Sequence, residues 1–347
     1  MKNATNETID RVGLKQGLFW VATPRGVQCL ICPNECSIRE GESGLCQNRI
    51  NKGDKLYSIA YGNPCTVNID PIEKKPLYHF LPGSRAFSIG SAGCNLACLN
   101  CQNWTISQTS PQETRNIPLM PNQVIEQTIE NRCTTIAYTY TEPICSYEYT
   151  LDTAMIAHEN KLKNILVTSG YVNEEPLRKL CSFIDAANVD LKSFSDHTYH
   201  KLSAGALQPI LTTLKIMAEL GVWLEITNLI IPGWTENRDQ IKKMCGWLAS
   251  NGFSEYPLHL NRFYPEFKLM DLSATPLDSL LSAREIALAQ GIKYVYIGNA
   301  PSLDSQNTNC PKCHELLIER NGFSILQQNL AKSRCTKCGE TISGVWE

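Results

Sequence analysis

Residues 86–101 read AFSIGSAGCNLACLNC, a β-forming run that gives way at Gly93 to three closely spaced cysteines. The apolar start predicts a buried strand, and the small residues after it predict a loop at the strand's carboxyl end. Cys94, Cys98 and Cys101 then share one curled loop, with three and two residues between them. A closed zinc site and an ordinary four-iron cluster each want four protein ligands. Three thiolates on a cubane leave one iron without a protein ligand, and such an iron is a binding site.

Strand patterns recur downstream as TTIAYTY, KNILVTSG, AANVDLK, WLEITNLI, PLHLNRF and KYVYIG, separated by helical patterns. That alternation predicts parallel βαβ units. In one helix Ile210, Leu211, Leu214, Met217 and Ala218 fall on a single face before a stop at Gly221. The strands are apolar nearly throughout, as expected when both faces of a sheet are covered. Several end in small or polar clusters such as SGY, DLK and NRFYP, which places functional groups at the carboxyl rim of a barrel or part of one.

Lys plus Arg is 32 against 34 for Asp plus Glu, so the charge balance gives no reason to expect nucleic acid or an acidic membrane surface. The start, MKNATNETID, lacks the basic and apolar regions of a secretory signal, and no run approaches the ~20 apolar residues of a membrane span. A cytoplasmic protein is expected. Its 16 cysteines should then stay reduced, and clusters of them read as metal ligands rather than disulfides. No fixed-period repeat or low-complexity tract occurs.

Two further cysteine clusters flank the strand region. Cys29, Cys32, Cys36 and Cys46, with two, three and nine residues between them, supply four thiolates for zinc or for an auxiliary iron-sulfur cluster. Cys310, Cys313, Cys335 and Cys338 form two CxxC pairs separated by 21 residues, the pattern of a zinc ribbon that folds around its ion. The expected organisation is an N-terminal Cys-rich metal-binding segment over 1–80, a barrel region over 81–302 and a zinc-ribbon-like tail over 303–347.

CNLACLNC resembles the CxxxCxxC signature of the radical S-adenosylmethionine enzymes. The resemblance implies an α/β fold, a partial (β/α)6 TIM-type barrel, with a [4Fe-4S] cluster on Cys94, Cys98 and Cys101. It implies that S-adenosylmethionine chelates the open iron and is cleaved reductively to a 5′-deoxyadenosyl radical, which abstracts hydrogen from a substrate. It also implies cofactor contacts: Thr139, Thr141 and Glu142 in TYTEP for the amino group, and Ser169 in SGY with Asp190 and Lys192 in VDLK for the ribose and carboxylate. Asn228 in EITNLIIPG would lie by the adenine, and His259 in HLNRFYP at the next strand. No hydrogen-donor residue is implied. The usual aromatic before the third cysteine is Asn100 here, which leaves Trp104 as the candidate to pack on the adenine.

Over nearly the whole chain, DPIEKKPLYHFLPGS at 70–84, GCNLACLNCQNWTIS, AYTYTEP, VDLK and the terminal GVW resemble the radical enzyme of the AmmeMemoRadiSam system, a relative of the pyruvate formate-lyase activating enzymes. This implies Memo-type and AMMECR-type partner proteins and an electron donor such as flavodoxin or ferredoxin, with no membrane and no nucleic acid. Three functions follow: a radical enzyme acting on a small molecule or partner protein, a glycyl-radical-enzyme activase, or a non-catalytic iron-sulfur and zinc protein. An open iron argues against the last, because an electron carrier has no need of an empty coordination site.

Overall fold

The strands expected from residue 86 onward all form in the computed structural model, which describes residues 13–300 and 305–347. With one preceding strand they make an eight-stranded sheet: β1 (Thr66–Pro71), β2 (Arg85–Gly90), β3 (Thr135–Tyr138), β4 (Lys163–Thr168), β5 (Ala186–Asp190), β6 (Trp223–Ile230), β7 (Leu258–Arg262) and β8 (Val295–Gly298). They lie side by side in chain order; β1 is antiparallel to β2 and the other neighbours are parallel. No pairing joins β1 to β8 among the described residues.

Helices α1 (Trp104–Ser107), α2 (Pro121–Glu130), α3 (Tyr147–Glu159), α4 (Glu174–Cys181), α5 (Asp196–Ser203), α6 (Leu207–Glu219), α7 (Arg238–Ser250) and α8 (Leu277–Ala289) fill the crossovers between the parallel strands. The apolar face expected around Leu211 is the buried face of α6, where Leu207, Ile210, Leu211, Leu214 and Met217 pack into the main core. Each such side chain contributes roughly 1.5–3 kcal/mol on burial. The helix ends at Glu219, and Gly221 turns the chain with a φ of 77°. Among the described residues no helix is long and apolar enough to cross a membrane.

The N-terminal segment is built of short antiparallel pieces. Trp20–Thr23 pairs with Gly26–Cys29, which pairs in turn with Ser37–Ile38. The C-terminal segment is a three-stranded sheet of Thr308–Asn309, Leu316–Asn321 and Ser324–Gln328. Its hairpin turns at Gly322, whose φ of 60° suits glycine at the first central position.

This tail is sewn onto the sheet. Arg320 is buried, donating from Nη2 to the Tyr78 carbonyl at 2.8 Å and from Nη1 to Thr308 Oγ1 at 2.8 Å, with its guanidinium 4.4 Å above the Tyr78 ring. The His79 ring bridges the Ser343 carbonyl and the Tyr296 hydroxyl, each at 2.6 Å. Val345 then pairs with His79 and Leu81 through backbone hydrogen bonds of 2.7 Å.

His79 makes this junction pH-sensitive. Burial pushes its imidazole down to about 4 from 6.5, against the pull of the Glu225 carboxylate. Between those values the unfolded chain binds a proton that the folded chain refuses, so stability is complete above about pH 6.5 and is lost as pH falls toward 4. The loss should approach roughly 3 kcal/mol. Thermal melts from pH 7.5 to 4 should fall more steeply for the natural chain than for His79→Phe, although the variant starts less stable. Parallel slopes would contradict this assignment.

Candidate active site

A cavity of about 750 Å³ opens at the carboxyl ends of the parallel strands, within the size range of small-molecule sites. The cysteine loop after β2 forms part of its wall, and Cys94, Cys98 and Cys101 all face it. Gly93 starts this loop with a φ of 88°, and a Cβ there would sit 2.2 Å from the Cys46 carbonyl oxygen, so a side chain is excluded. The loop is then pinned by backbone: Ala97 and Leu99 donate to the Ser203 and Leu202 carbonyls at the end of α5, and Lys268 donates to Leu99. Cys101 Sγ lies 3.1 Å from Ser107 Oγ. Burial pushes the Cys94 and Cys98 thiols up, while the Lys192 ammonium works the other way on both. Thiolates in this wall therefore need cationic company.

Most of the other expected residues reach the same cavity. Thr139, Thr141 and Glu142 follow β3, Ser169 follows β4, Asp190 ends β5 with Lys192 just after it, and His259 lies on β7. Glu142 is only 3% exposed. Its Oε1 accepts from the Thr168 hydroxyl at 2.7 Å and the Ile144 amide at 3.3 Å; its Oε2 accepts from the Ser169 amide at 2.7 Å and hydroxyl at 2.6 Å. Those four donors fill the acceptor sites of a carboxylate. Burial pushes its pKa up, and the Ser169 and Thr168 donors restrain the rise. Lys192 Nζ donates to Asp190 Oδ2 at 2.9 Å. His259 Nε2 is committed to Glu225 Oε2 at 2.6 Å.

Two residues lie elsewhere. Asn228 does not line the cavity: Thr227 and Leu229 do, and strand alternation turns Asn228 to the opposite face, where Nδ2 donates to the Leu191 carbonyl at 2.6 Å. Trp104 stacks on Phe267 with ring centroids 5.3 Å apart and donates to Glu266 at 3.1 Å, away from the cavity wall. Asn100 takes the wall position, with its buried Oδ1 unpartnered.

Sequence reasoning missed a polar cluster at the same rim. Asp70 accepts from Lys75 Nζ at 2.5 Å, from the Tyr140 hydroxyl at 2.5 Å and from Lys74 Nζ at 2.9 Å. Burial opposes the Asp70 charge, but the Lys75, Tyr140 and Lys74 hydrogen bonds hold its carboxyl well below the usual range. Burial pushes Lys75 down to about 8. Tyr140 has a φ of 71°, an outlier for a bulky residue, and residues so held cluster at functional sites. The signal was the acid–lysine–lysine stretch DPIEKK, which carries no chemical role until β1 places it at the cavity. The tail adds Gln306, Gly322 and Phe323 to the wall.

The tail cysteines form a separate centre. Cys310 Sγ lies 3.6 Å from Cys338 Sγ, and Cys313 Sγ 3.7 Å from Cys335 Sγ. All four sulfurs lie within 4.8 Å of one another, close enough to hold one metal ion.

Residues 88–248 match the radical SAM superfamily. An uncharacterized protein of Methanocaldococcus jannaschii is 45% identical over 318 residues, 91% of this chain and 95% of the relative. Among solved structures, a domain of a pyruvate-formate lyase-activating enzyme from Bacteroides vulgatus is similar with a TM-score of 0.42 and 16% identity, covering 47% of this chain and 98% of that one. Streptococcus suis SuiB bound to S-adenosylmethionine is similar with a TM-score of 0.49 and 13% identity, covering 66% of this chain and 53% of that one. The superfamily match runs from within β2 through its cysteine loop and the ends of β3, β4, β5 and β6, and the archaeal relative extends the likeness over 91% of the chain: the chain belongs to the radical SAM superfamily.

Proposed function

We propose that the chain is a radical enzyme whose open cluster sits on Cys94, Cys98 and Cys101 and whose S-adenosylmethionine fills the cavity beside them. Membership of the superfamily implies an enzyme of this kind, with a [4Fe-4S] cluster and S-adenosylmethionine. The observation that supports the placement is that three thiols on one pinned loop face a cavity of about 750 Å³ together with the strand-end groups after β3, β4 and β5. The donor set fits: soft thiolates suit iron-sulfur chemistry, and a cavity of this size takes a nucleoside cofactor with room for a substrate.

When bound, the cluster and its cofactor supply reductive cleavage to a 5′-deoxyadenosyl radical and methionine. The chain's own residues hold and shield that chemistry. Lys192 offsets thiolate charge beside Cys98, and Asp190 orients the Lys192 ammonium. Glu142 locks the Thr168–Ser169 strand end, which presents hydroxyls to the cavity. Asp70 neutralises one of two neighbouring lysines, and the remaining positive charge favours an anionic group on the substrate. Phe323 and Gln306 of the tail help exclude water. Zinc suits the tail quartet by its sulfur spacing. An electron donor of the flavodoxin or ferredoxin kind, and partners of the Memo and AMMECR types, rest on the resemblance of the motifs alone.

Anaerobic reconstitution with iron and sulfide, followed by reductant and S-adenosylmethionine, should yield 5′-deoxyadenosine by chromatography, and none without reductant. Reconstituted, reduced protein that leaves S-adenosylmethionine intact would overturn the reading.

A further inference from the structure

Cys29, Cys32, Cys36 and Cys46 come together around a small cavity of about 20 Å³, although they belong to different pieces of the N-terminal segment. The Gly26–Cys29 strand and Ser37–Ile38 are paired, and the Cys29 amide donates to the Cys36 carbonyl at 3.0 Å, so the hairpin base brings these two residues opposite each other. Cys32 sits in the hairpin loop, and Cys46 arrives from the next loop, after the Leu45 amide has donated to Cys36 Sγ at 3.5 Å. The segment is clamped to the sheet. Asn173 Nδ2 and its backbone amide donate to the Leu30 and Ile31 carbonyls, and Asn34 Nδ2 donates to the Asn95 carbonyl at 2.7 Å.

Sulfur spacing separates the two metal chemistries that four thiolates allow. Around one zinc ion, with bonds of about 2.3 Å, tetrahedral thiolates lie about 3.8 Å apart. The tail quartet has this spacing, at 3.6 and 3.7 Å. Among the described residues it is the one group of three or more cysteine, histidine or carboxylate ligand atoms drawn within 4.8 Å of one another. Neither the N-terminal quartet nor the central triad brings three of its sulfurs within that distance of one another. A cubane several ångströms across needs that wider frame.

The wall of the cavity points to an electron-rich occupant. Arg49 is 2% exposed and gives Nη2 to both oxygens of Glu148, at 2.8 and 2.7 Å, yet its Nε and Nη1 are buried without a partner. Asn95, which follows Cys94 in the central loop, also lines the cavity and is held in place by its Nδ2, which donates to the Tyr171 carbonyl at 2.7 Å. Unpartnered guanidinium N–H groups next to four thiols suit the sulfides and thiolates of an iron-sulfur cluster. A fifth thiol, Cys145, also lines the cavity.

We propose that Cys29, Cys32, Cys36 and Cys46 hold an auxiliary [4Fe-4S] cluster, packed against the central cysteine loop where Gly93 abuts Cys46 and Asn95 forms a shared wall. The quartet supplies all four ligands, so this cluster has no open iron and does not bind S-adenosylmethionine. Arg49 donates to it from the side opposite Glu148.

The test counts metals and is separate from cofactor cleavage. The full chain, reconstituted anaerobically with ferrous iron and sulfide and freed of excess by gel filtration, should carry about eight irons, about eight sulfides and about one zinc. Cys94→Ala/Cys98→Ala/Cys101→Ala should keep about four irons and give a reduced-cubane electron paramagnetic resonance signal. Adding Cys32→Ala and Cys36→Ala should remove those irons, and Cys145→Ser in the natural chain should leave all of them. About four irons with about two zincs in the natural chain would overturn the proposal, whether or not any variant folds.

Discussion

Replacing Cys94, Cys98 and Cys101 together with alanine is expected to bring 5′-deoxyadenosine formation below detection. Thiolates are the only strong iron ligands on this loop, and the histidine at the cavity, His259, is already committed to Glu225. The fold should survive, because the loop is held by backbone. Gly93 donates to Ile106, Ala97 to Ser203 and Leu99 to Leu202, and none of these bonds uses sulfur. Cys94 and Cys101 are only half-buried, so their truncation should cost about 1 kcal/mol each. Chromatography for 5′-deoxyadenosine, read beside the circular dichroism spectrum and tail zinc content, checks both halves. A folded triple variant that still cleaves the cofactor would place the chemistry elsewhere.

The strands were legible in the sequence because both faces are covered. Ile136, Ala137, Ile165, Leu166, Ala186 and Ala187 are fully buried, and continuous apolar runs bounded by turn residues leave few alternatives. Side-chain direction was legible in part. Along β6 the alternation Leu224–Glu225–Ile226–Thr227 puts Asn228 on the face of Leu224 and Ile226, opposite Thr227 and Leu229, which line the cavity; the polar character of Asn228 outweighed that signal in its assignment to the site. The cysteine sets were legible as spacing, since few other roles need three or four thiols in a reduced chain. Spacing in sequence does not give spacing in space, and that is what separates the tail quartet from the N-terminal one. The tail's part in the cavity was also out of reach. It depends on Arg320 reaching Tyr78 across 242 positions and on Ser343 reaching His79 across 264, contacts that leave no local pattern. Trp104 was misplaced for a related reason: its aromatic partner, Phe267, comes from the loop after β7.

Glu142→Ala should weaken S-adenosylmethionine binding by roughly 1.5–3 kcal/mol, about 10- to 150-fold, while the central cluster still assembles. An N–H of the cofactor's amino group must accept a place on a carboxylate whose four acceptor sites are filled by Ile144, Thr168 and Ser169. The Ser169 amide cannot turn away, but the Thr168 and Ser169 hydroxyls can rotate, so cofactor binding should displace one of them. Alanine removes the acceptor and also leaves the buried Ser169 amide unsatisfied, which should cost a further 1–3 kcal/mol or about that in stability. Glu142→Gln separates the two effects: it keeps the shape but offers an NH2 where the cofactor needs an acceptor, so affinity should drop with a smaller loss of stability. The pH dependence carries its own sign. Burial raises the Glu142 pKa, so above 4.5 the folded chain keeps a proton that the unfolded chain gives up, and the buried carboxylate lowers stability as pH climbs through that window. The difference in melting temperature between the natural chain and Glu142→Gln should therefore shrink as pH rises from 4.5. Titrating S-adenosylmethionine into each reconstituted variant, followed by a cluster spectrum sensitive to iron coordination, measures the affinity. If Glu142→Gln binds as tightly as the natural chain, the carboxylate serves only to brace the Thr168–Ser169 strand end.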